Sequence, residues 1–172
     1  RFYPLKRWDI LLEVLFILKQ KGYQFTHYIL GKGPLEKDIK DDIKKKNLED
    51  YVQMPGEVKN VNEYLTKSRF MIHTADFEGT PNVIMEAMAS GRAIVSTCCG
   101  DTPYLIKDGE NGYITKTGDI NLLVEKAETL FKNPELAIRM GMKGRELAET
   151  NFSLNRLVHD TLEVYKNEGV KI

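Results

Sequence analysis

The stretch "RFMIHTADFEGTPNVIMEAMASGRAIVST", Arg69 to Thr97, holds a complete structural unit. Arg69 to His73 is a short apolar run of strand type. Pro81 to Ser90 is near-apolar, long enough for a helix, and Gly91 can end its last turn. Ala93 to Thr97 is another unbroken apolar run, the pattern of a strand buried on both faces. Strand, helix and strand in sequence make a βαβ unit, whose strands lie parallel.

The same alternation extends in both directions. Upstream, Ile10, Leu11, Val14, Leu15 and Leu18 recur at helical spacing, predicting a helix over Trp8 to Lys21. A strand is expected over Phe25 to Leu30, ending in Gly31-Lys32-Gly33-Pro34. A charged helix should follow to about Lys46, then a strand over Tyr51 to Met54 and a short helix over Val61 to Lys67. Downstream come a helical turn near Pro103 to Lys107 and a strand over Tyr113 to Thr115. Three helices close the chain, the last with Leu154, Leu157, Val158, Thr161, Leu162 and Tyr165 as an apolar stripe expected to join the core. The fold class is therefore α/β, a Rossmann-like doubly wound parallel sheet with helices on both faces and extra C-terminal helices. All of residues 1–172 read as one domain.

Composition narrows the function. Lys plus Arg and Asp plus Glu each total 25, so no bulk charge draws the chain to nucleic acid. No apolar run approaches the roughly 20 residues of a membrane-spanning helix. Cys98 and Cys99 are adjacent, a poor geometry for a mutual disulfide, and read as reduced packing residues of a cytoplasmic protein. Gly31-Lys32-Gly33 lacks the third glycine of a dinucleotide fingerprint. Arg1 opens the chain without an initiator methionine, so a fragment of a longer protein is expected, with Arg1 and Lys6 just past a truncated strand.

Ligands of doubly wound sheets bind beyond the carboxyl ends of the strands. The loop Thr74 to Pro81 is such a place, and it carries Glu78, with Glu86 following inside the helix. Thr80 reads as the helix cap and Pro81 as its first residue. Gly79 allows close backbone approach, and the amides of Asn82 and Val83 favour an anion. A carboxylate accepts two hydroxyl donors at once. Two carboxylates flanking an anion site suit a sugar, a diphosphate and a ribose in series, with Arg1 and Lys6 as the cations for the diphosphate. The competing reading makes Glu78 a satisfier of helix amides and Glu86 a surface residue. Against it, an acid in so apolar a helix needs a partner. His73, at the end of its strand, reads as a structural histidine ahead of a ligand contact.

Taken in order, "RFYPLKRW", "YILGKGPLEKDI", "VQMPGEV", the E-x7-E of "EGTPNVIMEAMASGRAIVST", "LIKDGENGYI" and "TGDINLLVEKAETL" resemble the C-terminal, donor-binding domain of a GT-B retaining glycosyltransferase of group 1 (family four). The resemblance implies that Glu78 binds the donor sugar near its anomeric centre and Glu86 the ribose hydroxyls. Gly79, Thr80, Pro81, Asn82 and Val83 would meet sugar and phosphate. Arg1 and Lys6 would neutralise the diphosphate, and the base would rest on the loop containing Gly56 and Val58. It implies no metal and no cofactor, a nucleotide diphosphate sugar as donor, an absent N-terminal domain that holds the acceptor, and a last helix that crosses back to that domain and leaves part of its apolar stripe exposed here. Contact with the inner face of a membrane would come through that domain. Three departures stand out: Gly100-Asp101 where the family has Gly-Gly, Tyr104 where it has glutamate, and Lys6-Arg7 where it has Lys-Gly, so that Arg7 could substitute for Lys6. A sugar-nucleotide epimerase half and a non-catalytic Rossmann-like nucleotide-binding module are the alternatives.

Overall fold

The structure, a computed structural model, describes residues 1–168. A 3-10 turn at Pro4–Lys6 precedes helix α1 (Trp8–Gln20). Strand β1 (His27–Leu30), α2 (Glu36–Lys45), β2 (Val52–Gly56), α3 (Val61–Lys67), β3 (Phe70–His73), α4 (Asn82–Ala89) and β4 (Ala93–Thr97) follow in alternation. Then come α5 (Thr102–Leu105), β5 (Gly112–Thr115), α6 (Ile120–Lys132), α7 (Pro134–Asn151) and α8 (Leu154–Asn167).

Every strand pairing is parallel, as the βαβ reading requires, and the strands fall into two sheets. One is β1-β2; the other is β3-β4-β5. Strand β4 shows why its sequence is apolar throughout. Ala93 and Val95 point into a core with Ile10, Val14 and Leu18 of α1 and Leu123 and Ala127 of α6. Ile94 points into another core, with Ile84, Ala87 and Met88 of α4 and Leu105 and Ile106. Strand side chains alternate between faces, so helices cover this sheet on both sides. A third core joins α1, β1 and α2 through Leu11, Leu12, Leu15, Ile29, Ile39 and Ile43.

Three local expectations change. Helix α4 starts at Asn82 with Pro81 at its cap, so Thr80 does not cap it. The Thr80 hydroxyl instead donates to Asp101 Oδ2, a charge-assisted hydrogen bond. The apolar stripe of α8 is not core: Leu154 is 73% exposed, and Leu157, Val158, Val164 and Tyr165 are exposed too. Of the two cysteines, only Cys99 packs inside, while Cys98 is exposed.

Candidate functional site at the carboxyl ends of β1 and β3

Glu78 sits on the loop leaving β3, and three elements converge on it. Lys6, the last residue of the 3-10 turn, donates its ammonium to Glu78 Oε1. His73, at the end of β3, places Nε2 3.3 Å from the same oxygen. Its Nδ1 lies 3.0 Å from Ser96 Oγ on the neighbouring strand. A carboxylate can only accept, so Nε2 carries a ring proton toward Glu78, while Nδ1 faces the Ser96 hydroxyl, whose oxygen also lies 2.9 Å from the Thr97 carbonyl. Burial alone pushes the Glu78 carboxyl up, but the hydrogen bonds from Lys6 and His73 and the Lys6 charge outweigh it, leaving the group below the usual carboxylate range. Burial lowers His73 below an ordinary histidine, which the Glu78 contact only partly opposes.

The backbone under Glu78 is held from the loop after β4. Gly100 adopts φ +48, and a Cβ there would lie 2.1 Å from the Glu78 carbonyl oxygen and 2.4 Å from that of Gly79. Only glycine fits a left-handed residue pressed against two carbonyls. Next to it, the Asp101 amide donates to the Gly79 carbonyl at 3.0 Å. The Gly-Asp pair thus fastens the acidic loop twice, through the Asp101 amide and through Thr80. Sequence reading treated it only as a departure from a family pattern, since a contact between residues this far apart leaves no local signal.

Beside Glu78 opens a cleft of about 600 Å³. Arg1, Lys6, Val58, Val83 and Glu86 all line it, and so do Gly31 and Thr74 at the strand ends. Glu86 is exposed on α4 and has no ion-pair partner among the described residues. Its carboxylate is thus on the accessible side of its helix, as the surface reading had it, but at the mouth of a cleft. Glu78, Gly79, Thr80, Pro81 and Asn82 lie on the adjoining loop and do not line the cleft itself. Gly56 ends β2 with φ +82, its carbonyl accepting from the Gly31 amide at 2.7 Å. Of Lys6 and Arg7, Lys6 lines the cleft and Arg7 does not. The Arg7 guanidinium binds Asp9 at 2.8 Å and Asp76 at 2.7 Å, away from the Lys6–Glu78 pair. Burial pushes the thiol of Cys99, near the site, up. Among the described residues no three His, Cys, Asp or Glu side chains cluster to hold a metal ion. No helix is long and apolar enough to cross a membrane.

The arrangement offers cations at Lys6 and Arg1, helix-end amides at Asn82 and Val83, an ordered carboxylate and an unpaired one. Such a set receives an anion flanked by hydroxyl groups. The fold class is a doubly wound α/β domain with its site beyond the strand ends. Residues 1–147 match the family model described as glycosyl transferases group 1, and the chain belongs to that family. It is 30% identical over 156 residues to an uncharacterized glycosyltransferase of Haemophilus influenzae, covering 90% of this chain and 44% of that protein. It is 29% identical over 168 residues to the poly(ribitol-phosphate) alpha-N-acetylglucosaminyltransferase of Staphylococcus aureus, covering 97% and 34% respectively. Among solved structures, a mutant of S. aureus TarM in complex with fondaparinux, alpha-GlcNAc-glycerol and UDP superposes with TM-score 0.90 at 29% identity, over 96% of this chain and 34% of that one. Anabaena HepE in complex with UDP-glucose shares the fold, with TM-score 0.85 at 24% identity over 95% and 47%. The chain spans less than half the length of these proteins.

Proposed function

We propose that this chain is the donor-binding half of a retaining glycosyltransferase, which with an N-terminal acceptor domain moves a sugar from a nucleotide diphosphate sugar to a glycan or lipid-linked glycan. The observation that carries the reading is the contrast between the two acids: Glu78 is ordered by Lys6 and His73, which themselves line the cleft, while Glu86 lines the cleft with no ion-pair partner among the described residues. In this reading Glu86 receives the ribose hydroxyls and Glu78 the sugar hydroxyls near the anomeric carbon. Lys6 keeps two further donors for the diphosphate, and with Arg1 and the amides of Asn82 and Val83 it stabilises the charge on the leaving group. Gly56 and Val58 bound the place of the base, with Gly79, Thr80 and Pro81 beside sugar and phosphate. Cations and amides do this neutralising without a metal or cofactor. The whole enzyme works in the cytoplasm, and any contact with the inner membrane face belongs to the N-terminal domain.

The epimerase alternative draws some support from His73 against Glu78. His73 is 7% exposed and both ring nitrogens have protein partners, so it has no free atom for a sugar. Titration calorimetry with UDP, GDP and ADP, each with and without chelator, tests the donor reading. Glu86→Gln should weaken the preferred nucleotide diphosphate by roughly 1.5–3 kcal/mol, the worth of a charge-assisted hydrogen bond. Unchanged affinity would make Glu86 a surface acid and end this reading. Loss of binding in chelator, restored by manganese, would overturn the metal-free mechanism.

A further inference from the structure

The cleft has a second charged end, away from the two acids already described. Strands β1 and β2 are joined at their carboxyl ends by the Gly31 amide, which donates to the Gly56 carbonyl at 2.7 Å. One residue further along each chain the connection continues through side chains: the Lys32 ammonium lies 2.5 Å from Glu57 Oε2. Gly56 takes φ +82 and the chain bends at Glu57, so the alternation of a strand is broken there. Glu57 and Val58 therefore both line the cleft, beside Gly31 and Arg1. The Lys32 backbone is fixed, its carbonyl accepting from the Phe2 amide at 3.1 Å. The pair itself is open, with side chains 68% and 66% exposed. So wet an ion pair adds almost nothing to the fold. Glu57 Oε1 has no partner among the described residues. The hydrogen bond and charge of Lys32, helped by the charge of Arg1, hold the Glu57 carboxyl below the usual carboxylate range, so at neutral pH it only accepts.

We propose that Glu57 and Lys32 read the edge of the nucleotide base and select guanine, with Glu57 accepting from N1–H and the 2-amino group and Lys32 donating to O6. This rests on the donor-binding reading and names its nucleotide as GDP. A carboxylate is acceptor-only and an ammonium donor-only, so side by side they present two acceptors and then a donor. The complement is a ring edge with two donors and then an acceptor, which guanine has. Uracil presents its N3–H between two carbonyls, so one carboxylate oxygen would face a carbonyl oxygen and be repelled. Adenine presents one amino donor and the N1 acceptor, which leaves the second carboxylate oxygen idle. Two parallel N–H bonds to one carboxylate fix direction as well as distance, as in an arginine–carboxylate fork. Val58, half-buried next to Glu57, supplies an apolar surface for the ring. Arg1, assigned above to the diphosphate, lines the same end of the cleft, so base and phosphate partners are neighbours.

Titration calorimetry of the intact protein with GDP, IDP, UDP and ADP tests this. IDP is GDP without the 2-amino group, so it deletes one of the two bonds to Glu57. GDP should bind about tenfold tighter than each of the others, the low end of what a bidentate base contact discriminates, because the pair is wet. Glu57→Ala should erase the difference between GDP and IDP. Glu57→Gln puts one acceptor beside one donor, the complement of the uracil N3–H and its neighbouring carbonyl. It should move the ratio of GDP to UDP affinity toward UDP by about tenfold. Both positions are exposed, so these variants should fold as the parent does. If Glu57 acts only as a negative charge near the diphosphate, its removal tightens all four ligands alike and leaves their ratios unchanged, and the proposal fails. It fails too if UDP or ADP binds the parent as tightly as GDP. Either result leaves the donor-binding reading standing, whereas no binding of any of the four overturns both.

Discussion

Glu78 and Glu86 stand eight positions apart on one loop–helix segment, yet their surroundings are opposite. Glu78 is 16% exposed, receives hydrogen bonds from Lys6 and His73, and rests on a backbone braced by Gly100 and Asp101. Glu86 lies on the open side of α4 with no ion-pair partner among the described residues. The difference teaches how one segment serves two needs. In the proposed reading, the acid that must be placed accurately is bonded by the protein before any ligand comes, whereas the acid that would accept ribose hydroxyls is left free to accept them.

The strongest attack on this contrast is Gly100→Ala. The added methyl meets two carbonyls in a backbone region that alanine avoids, so the fold should lose roughly 2–4 kcal/mol, measured by urea unfolding. A loss below about 0.5 kcal/mol would show that the acidic loop is not braced there. Glu86→Gln should leave unfolding unchanged within about 0.5 kcal/mol, as an exposed substitution does.

Lys6→Met is the next largest. Removing the ammonium deprives Glu78 of its chief partner and should cost about 1 kcal/mol of stability, because the pair is only partly buried. Nucleotide diphosphate affinity should fall roughly tenfold with it. Arg7→Met sharpens the comparison. Its guanidinium serves Asp9 and Asp76, so affinity should hold while stability declines. If Arg7→Met weakens the ligand and Lys6→Met does not, the roles of these two cations are reversed.

How much of this was legible depended on distance along the chain. Helix α3 and strand β4 match their predicted bounds, because an apolar run and its flanking breakers are local signals. Strand β1 begins at His27 and not Phe25, since the Phe25 ring joins Tyr51 and Phe131 in an aromatic cluster off the ladder. Spacing picked out Glu78, Glu86 and Lys6, but not that Lys6 would bond to Glu78 across the fold. Nor could it show that Gly100 presses against the Glu78 and Gly79 carbonyls. The α8 stripe has helical spacing, and such a stripe reports that a helix has an apolar face, not what covers it.

The smallest effect expected is a slope in pH. His73 is held neutral by burial, below its ordinary 6.5, with Glu78 and Lys6 as its charged neighbours. The unfolded chain takes up a proton on this residue at a higher pH than the folded one, so stability is complete above pH 6.5 and is lost progressively as pH falls toward the folded value. Glu78 acts lower. Its depressed carboxyl keeps the Lys6 pair intact until pH falls below the ordinary carboxylate range. Thermal unfolding from pH 7.5 to 4 should therefore show a first decline starting near pH 6.5. His73→Gln should make that decline smaller, the remainder coming from His27, which burial pushes down to about 4, while leaving the more acidic one. The amide retains a donor for Glu78 but does not titrate. Identical profiles for parent and variant would mean that His73 is solvated enough to titrate normally, and that Glu78 is ordered by Lys6 and its backbone alone.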